Sequence, residues 1–85
     1  MRDKDPDHQV LRVESAIALG VAVRSRRLSC GRSQEAVAFD AGLSVHAYSC
    51  LERGRTPAGG IANPTLDTLL RIFTALEMDM PTLSI

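Results

Sequence analysis

The feature that most constrains the fold is Gly42, which interrupts a helical pattern in SQEAVAFDAGLSVHAYSCLERG, residues 33–54. Apolar residues recur at helical spacing on both sides of this glycine, and Ser33 and Ser44 stand where each half would begin. Glycine adopts a positive φ at low cost, which suits the sharp turn at the end of a helix. The stretch therefore predicts two short helices joined at an angle, the second of them covering residues 44–53.

Length and composition predict one domain. The 85 residues are 45% hydrophobic and 24% charged, and they contain no apolar run long enough for a membrane span or a signal peptide. We therefore expect a cytoplasmic protein that does not associate with a membrane. Residues 1–7 predict a disordered charged tail, and residues 8–85 predict a single domain. The net charge is zero, but residues 24–55 carry an excess of arginine.

The remaining segments also predict helices, so the expected class is all-α, a bundle of four to five short helices. Residues 9–28 repeat apolar side chains at spacings of three, four and seven, which predicts one helix or two joined near Gly20. Asn63 and Pro64 predict the start of the last helix, as N-cap and first helical residue. The C-terminal MDMPTLSI is the only candidate for an edge strand.

Neither cysteine lies at a metal-binding spacing from a second ligand. We expect no metal and no cofactor. Cys30 and Cys50 are interpreted as reduced thiols packed as small apolar residues, with a regulatory thiol at Cys50 as the alternative.

Offsets counted from Gln34 indicate a helix-turn-helix. Ala38 supplies the small residue needed where the second helix crosses the first. The residues expected to pin both helices to the core are Val37, Ala41, Leu43, Tyr48 and Leu51. The opposite, outward arc of the second helix carries Val45, His46, Ser49, Cys50 and Arg53. An outward face near a helix N-terminus suits insertion into a major groove.

With these pieces in place, the chain resembles the phage-repressor-like (XRE-type) helix-turn-helix family. The resemblance covers residues 17–80, through LGVAVRSRR, GRSQEAVAFDAGLS, LERGR and NPTLDTLLRIFTALEM. It implies a five-helix, lambda-repressor-like domain that binds double-stranded DNA, usually as a homodimer on a palindromic operator. It also implies a transcriptional regulator of a prokaryote or a phage, associated with the nucleoid when bound to DNA, and we expect a repressor.

The resemblance implies roles for individual residues. The positions that would meet base edges are Val45, His46, Ser49 and Cys50. The positions that would bind phosphates are Gln34, Arg53 and Arg55, and we add Arg32, which replaces a usual apolar residue and can extend outward. Arg27 and Glu52 match a structural ion pair, and an unpaired carboxylate at that inward position would be costly.

Two other positions depart from the family pattern. Glu77 stands where glycine is common, so the last helix is expected to end differently. The loop of residues 56–62 is longer than usual, so its contacts with the DNA backbone are left open.

Alternatives of other classes stay open. The dimer could form through the N-terminal stretch with Val10 and Leu11 or through MDMPTLSI. The protein could be an antitoxin-type autoregulator that binds a second protein, or an interaction module that has lost DNA binding, which the zero net charge allows. An enzyme is not expected, because no nucleophile, base and acid form a recognisable pattern.

Overall fold

The computed structural model describes residues 6–79, and within them the chain forms four helices. The helices are α1 (Pro6–Ser29), α2 (Gln34–Ala41), α3 (Val45–Glu52) and α4 (Leu66–Ala75). An antiparallel bridge between Arg55 and Ile61 is the only extended pairing in this part of the chain. The predicted all-α class is confirmed, although α1, with 24 residues, is longer than the short helices expected.

The first helix begins earlier than predicted. Pro6 is its first residue, so Pro6 and Asp7 belong to α1 and not to the predicted disordered tail. Proline suits this position because its missing N–H has no partner in the first helical turn. Residues 1–5, the rest of that predicted tail, lie outside the described residues.

The last helix begins later than predicted. Thr65 is its N-cap, and its Oγ1 accepts a hydrogen bond from the Thr68 amide at 3.1 Å. Asn63 and Pro64 therefore precede the helix, because the cap that satisfies a first-turn amide is the threonine after them. Residues 80–85, most of the predicted edge strand, lie outside the described residues.

The core lies where α1 and α3 meet the pair formed by α2 and α4. Its members are Val23, Val37, Ala38, Ala41, Tyr48, Leu51, Ile72, Phe73 and Leu76. The predicted repeat along α1 correctly indicated a helix but not its buried face. That repeat is exposed and comprises Val10, Val13, Ile17, Val21 and Leu28. The inner face of α1 carries Ala16, Gly20, Val23 and Arg27 instead.

Close contact between α1 and α3 explains this choice of face. The helix continues through Gly20, where an added Cβ would overlap the carbonyl oxygen of Glu52 and lie 2.8 Å from that of Leu51. At Gly54 an added Cβ would lie 3.2 Å from the backbone of Ala16. Small residues on the inner face of α1 therefore let the end of α3 approach its backbone, which larger side chains would prevent.

All four helices end with the same backbone motif. A residue of positive φ follows the helix, and the next amide donates to a carbonyl five residues earlier. These bonds are Arg32 to Arg27, Leu43 to Ala38, Arg55 to Cys50 and Met78 to Phe73, at 2.8 to 3.1 Å. Glycine takes the positive φ in the first three helices, and Glu77 takes it in α4 with φ 55°. The last helix thus ends as the others do, despite the missing glycine.

Candidate nucleic-acid interface

Two capping serines and one glycine define α2, α3 and the turn between them. Ser33 and Ser44 each have extended backbone, and each Oγ accepts a 3.0 Å hydrogen bond from the amide three residues later. Gly42 adopts φ 71°, and the amide of Leu43 then donates to Ala38. The angle between the helices therefore depends on local bonds, and Ala38, which is fully buried, leaves room for the crossing.

The outer face of α3 lies at its N-terminal half. Val45 is 42% exposed, His46 is exposed and Ser49 is half-buried. These residues are spaced at i, i+1 and i+4, so they share one surface, while Tyr48 and Leu51 point into the core. Three of the four predicted base-reading residues therefore lie together on an accessible helix face. We call Val45, His46 and Ser49 the reading face.

The burial of Cys50 contradicts the base-reading role predicted for this fourth residue. Its side chain is 3% exposed, with Sγ 3.8 Å from His46 Nε2 and 3.4 Å from the Arg53 guanidinium. Cys50 directly follows Ser49 in the helix, so its side chain points in a different direction, against the body of the domain. It cannot reach a base from there. The other cysteine, Cys30, is exposed, so its predicted role as a packed apolar residue is also wrong.

Two arginines follow the reading face. Arg53 is the C-cap of α3, is exposed, and donates from one guanidinium nitrogen to Ser49 Oγ at 3.1 Å. Arg55 is exposed, and its side chain forms no hydrogen bond or ion pair with other residues of 6–79. Both guanidinium groups are therefore placed where they could meet a DNA backbone beside α3.

Gln34, the first residue of α2, is turned partly inward. Its Nε2 donates to Glu52 Oε1 at 3.0 Å, and the residue is half-buried. A primary amide has two N–H donors, so a phosphate contact would use the second one. The same side chain would then join α2, α3 and the backbone of the duplex.

The predicted phosphate-binding role of Arg32 does not agree with its surroundings. Its guanidinium donates to Ala75 O at 2.7 Å and to Ala36 O at 3.4 Å, and it pairs with the Asp40 carboxylate. These contacts bind α2 to the C-terminal end of α4, where carbonyl groups lack helical partners. The arginine therefore replaces the usual apolar contact with polar bonds and is occupied within the protein.

A buried ion pair joins α1 to α3, at the two positions expected for it. Arg27 Nε lies 2.6 Å from Glu52 Oε2, a second bond of 3.2 Å joins Arg27 to Glu52 Oε1, and the residues are 8% and 6% exposed. A further guanidinium nitrogen donates to Arg32 O at 2.8 Å. Burial alone would raise the pKa of Glu52, but hydrogen bonds from Arg27 and Gln34 outweigh it and hold that pKa below its usual value.

Tyr48 lies beside this pair. Burial raises the pKa of its phenol, and the neighbouring Glu52 carboxylate raises it further. Its hydroxyl is buried without a well-formed hydrogen bond to any described residue. The phenol therefore stays neutral and serves to pack α3 against the core.

Comparisons with known proteins agree with this fold. The family model of a helix-turn-helix domain matches residues 18–83. The chain belongs to that family. In structure it is similar to the restriction-modification controller protein C.AhdI from Aeromonas hydrophila, with a TM-score of 0.66 and 30% identity, over 78% of this chain and 91% of that one. Among curated proteins, none matches the chain.

Membership in the helix-turn-helix family confirms the resemblance seen in the sequence and supports a DNA-binding transcription regulator rather than an enzyme. Within residues 6–79, no three histidine, cysteine, aspartate or glutamate side chains gather where they could hold a metal ion. None of the helices described combines the length and apolar character that crossing a bilayer requires.

The contact between α1 and the end of α4 was missed from the sequence. Arg26 donates from Nε to Leu76 O at 2.9 Å and from a second nitrogen to Glu77 O at 3.5 Å. Like Arg32, it therefore binds the end of α4, although Arg26 is itself exposed. The sequence context of these two arginines, a basic run and a turn, gives no signal of this role, because the carbonyls at the end of α4 are 43 to 51 residues away.

Proposed function

We propose that the protein is a dimeric transcriptional repressor that inserts the N-terminal half of α3 into the major groove of an operator. The observation that carries this is the reading face, which is accessible on a helix whose other side is buried. A major groove about 12 Å wide admits one α-helix with its side chains. The two capped helices and the turn at Gly42 hold α3 in a fixed orientation for that insertion.

The reading face supports modest base specificity. His46 can donate to a guanine acceptor, Val45 can pack against a thymine methyl group, and Ser49 can donate or accept. None of these side chains makes the bidentate bonds that give about 1–3 kcal/mol of discrimination per base pair. Sequence-dependent DNA shape would therefore contribute a large share of the preference.

Phosphate contacts would supply most of the affinity. Arg53 and Arg55 lie beside the reading face, and the second N–H of the Gln34 amide is a third donor. Arg32 is not included, because its guanidinium is occupied by α4 and Asp40.

Two features support the dimer and the repressor role. One helix of eight residues reads few base pairs, so a pair of half-sites makes recognition effective. Repression requires only that the bound protein occupy a promoter, whereas activation needs an additional contact. The likeness to a controller protein at 30% identity is consistent with control of transcription.

A matched pair of variants tests the proposal. Val45→Glu places a carboxylate on the reading face, where it would repel the duplex, so binding to any sequence should be lost. Leu66→Glu makes the same kind of change at the first residue of α4, which is also exposed, and should leave binding unchanged. The measurement is a gel shift with duplexes selected from a random pool by the wild-type protein.

Several outcomes would contradict the proposal. Equal effects of the two variants would show that α3 is not the reading helix. Absence of any shift at micromolar wild-type protein and low salt would favour the interaction module, and co-purification of a second small protein would favour the antitoxin-type regulator. Selected sequences without an inverted repeat would contradict the dimeric operator.

A further inference from the structure

The outer face of α1 carries apolar side chains that no other described residue covers. We call Val10, Val13, Ile17, Val21 and Leu28 the α1 stripe, and each is between 39% and 57% exposed. Single exposed apolar residues are ordinary, but a continuous row along a helix marks an interaction surface. The row extends over most of the 24 residues of α1.

The spacing along this face is that of a heptad repeat. Positions 10, 14, 17, 21, 24 and 28 alternate steps of four and three, which is the pattern of helices that pair along their length. Four of the six positions belong to the α1 stripe, and the other two are Glu14 and Arg24. Both charged residues are exposed.

We propose that a second copy of this chain covers the α1 stripe, with the two α1 helices packed antiparallel. In the register that fits, Val10 lies opposite Leu28 of the second copy, and Ile17 lies opposite Val21. Glu14 then lies opposite Arg24, and Arg24 opposite Glu14. Each contact occurs twice, as a twofold interface between identical chains requires.

The charges select this arrangement from the alternatives. Parallel pairing would place Glu14 against Glu14 and Arg24 against Arg24. A shift by one heptad in the antiparallel arrangement would place a charge against an apolar residue. Polar residues within a paired helix seam commonly determine register and orientation in this way. Glu14 and Arg24 lie equally far from the centre of the paired segment and carry opposite charges. This complementarity favours a second copy of the chain as the partner that covers the α1 stripe.

The position of α3 agrees with this pairing. The end of α3 packs on the α1 face that carries Ala16, Gly20 and Arg27, about a quarter turn around α1 from the stripe. The twofold axis of an antiparallel helix pair is perpendicular to the plane of the two helices. Both copies of α3 therefore lie on the same side of the pair, which contact with a single duplex requires.

The end of α4 lies on another side of α1. Arg26 binds the carbonyls of Leu76 and Glu77, and its position is about half a turn around α1 from the stripe. The chain therefore reaches Asp79, the last described residue, on the side of α1 away from the stripe. This placement leaves the stripe clear of the described end of the chain.

Sedimentation equilibrium of the full chain without DNA tests the pairing. Glu14→Arg and Arg24→Glu each turn two attractive contacts into repulsive ones, so each should weaken the dimer at least about tenfold. An equimolar mixture of the two variants should regain wild-type association, because the mixed dimer has only opposite charges in contact. Glu35→Arg is the control, since it makes the same change on α2 at an exposed position, and it should leave association unchanged.

Three results would overturn this inference. The first is a wild-type protein that remains monomeric at about 100 μM, well above the micromolar dissociation constant at the weak end of protein–protein interfaces. The others are single variants that associate as the wild type does, and a mixture that does not recover. Loss of the dimer in Leu83→Asp with no effect of Glu14→Arg or Arg24→Glu would place the interface at the C-terminal end. The inference rests on the dimer in the proposed function, but it does not depend on DNA. A dimer that fails to bind duplexes would contradict only the proposed function.

Discussion

At the scale of single residues, the buried carboxylate of Glu52 joins three parts of the molecule. Arg27 on α1 and Gln34 on α2 both donate to it, and it lies at the end of α3. The partner guanidinium also donates to Arg32 O after α1. The helix that carries the reading face is therefore held by one polar cluster, whose charge balance depends on an ionised Glu52.

Acid should weaken the fold through this carboxylate. The pKa of Glu52 in the folded protein lies below its ordinary value of 4.5, so the unfolded chain binds more protons between the two values. Its contribution to the free energy of unfolding is complete above the unfolded pKa and is lost as the pH falls through the folded one. Urea unfolding of the wild type should therefore show a marked loss of stability below about pH 4.5.

Glu52→Gln provides the comparison. At neutral pH it should destabilise the protein by about 3 kcal/mol, because the Arg27 charge stays buried without an ionised partner. The variant should also lose less stability on acidification than the wild type does. Gln34→Ala, which removes only one bond to the carboxylate, should show a smaller loss at neutral pH. Parallel pH profiles for the wild type and Glu52→Gln would contradict this account.

Arg55 and Arg32 should differ in their effects on DNA binding, although both were candidates from the sequence. Arg55→Ala should weaken binding to all sequences alike and lower the slope of log K against log salt by about one. Arg32→Ala should leave that slope unchanged and reduce stability by about 1–3 kcal/mol, since it leaves the Ala75 carbonyl and Asp40 without their bonds. Titrations at several salt concentrations and urea unfolding separate the two. Equal changes in slope would contradict the assignment.

Helix boundaries and faces could be predicted from the sequence to different extents. Ser33, Ser44 and Gly42 carry their signals locally, because caps and a positive φ depend on adjacent backbone. The buried face of α1 could not be predicted, since the helix has two candidate faces and the longer apolar row is the exposed one. Which face is buried depends on where α3 fits, and only small residues allow that contact.

Gly20→Ala tests that contact. A methyl group there would meet the backbone carbonyls of Leu51 and Glu52, which cannot rotate away, so we expect a loss of about 3 kcal/mol or failure to fold. Gly31→Ala is the control, because its Cβ would meet nothing and only its positive φ of 68° is strained, for about 1 kcal/mol. Thermal unfolding of both variants measures the difference. Equal losses would mean that the helices do not approach as closely as described.

The end of α4 should gain stability from a glycine. Glu77 adopts φ 55°, which costs a residue with a side chain about 1 kcal/mol relative to glycine. Glu77→Gly relieves this strain, and Arg26 keeps its bonds because both acceptors are backbone carbonyls. The variant should be more stable by at most about 0.5 kcal/mol in urea unfolding, because the larger entropy of the unfolded glycine chain offsets part of the relieved strain. A destabilised variant would indicate that the side chain itself contributes to this end.

At the scale of the whole molecule, the fold class and the helix-turn-helix could be predicted because many fixed offsets agree over residues 33–54. Of the four residues predicted to meet bases, Val45, His46 and Ser49 share the accessible side of α3, whereas Cys50 is buried, which depends on how α3 packs against the body of the domain. The net charge of zero gave little information, since several arginines bond to other groups of the chain. Arg26, Arg27 and Arg32 bind carbonyls or a carboxylate of the chain itself, which leaves fewer arginine side chains free to contact DNA than the sequence suggests.

A twofold dimer makes the spacing of half-sites a property of the molecule. The two copies of α3 would contact one face of the duplex, so half-site centres should be separated by about 10 bp or a multiple of it. Insertion of about 5 bp between half-sites turns one of them to the opposite face, and affinity should fall to that of a single half-site. Insertion of about 10 bp brings it back to the same face but moves it about 34 Å away, so a rigid dimer should not recover. The Glu14→Arg variant, which we expect to dimerise poorly, should bind all three spacings with similar low affinity. Gel shifts with the three duplexes measure this, and spacing-independent binding by the wild-type protein would show that the copies act separately.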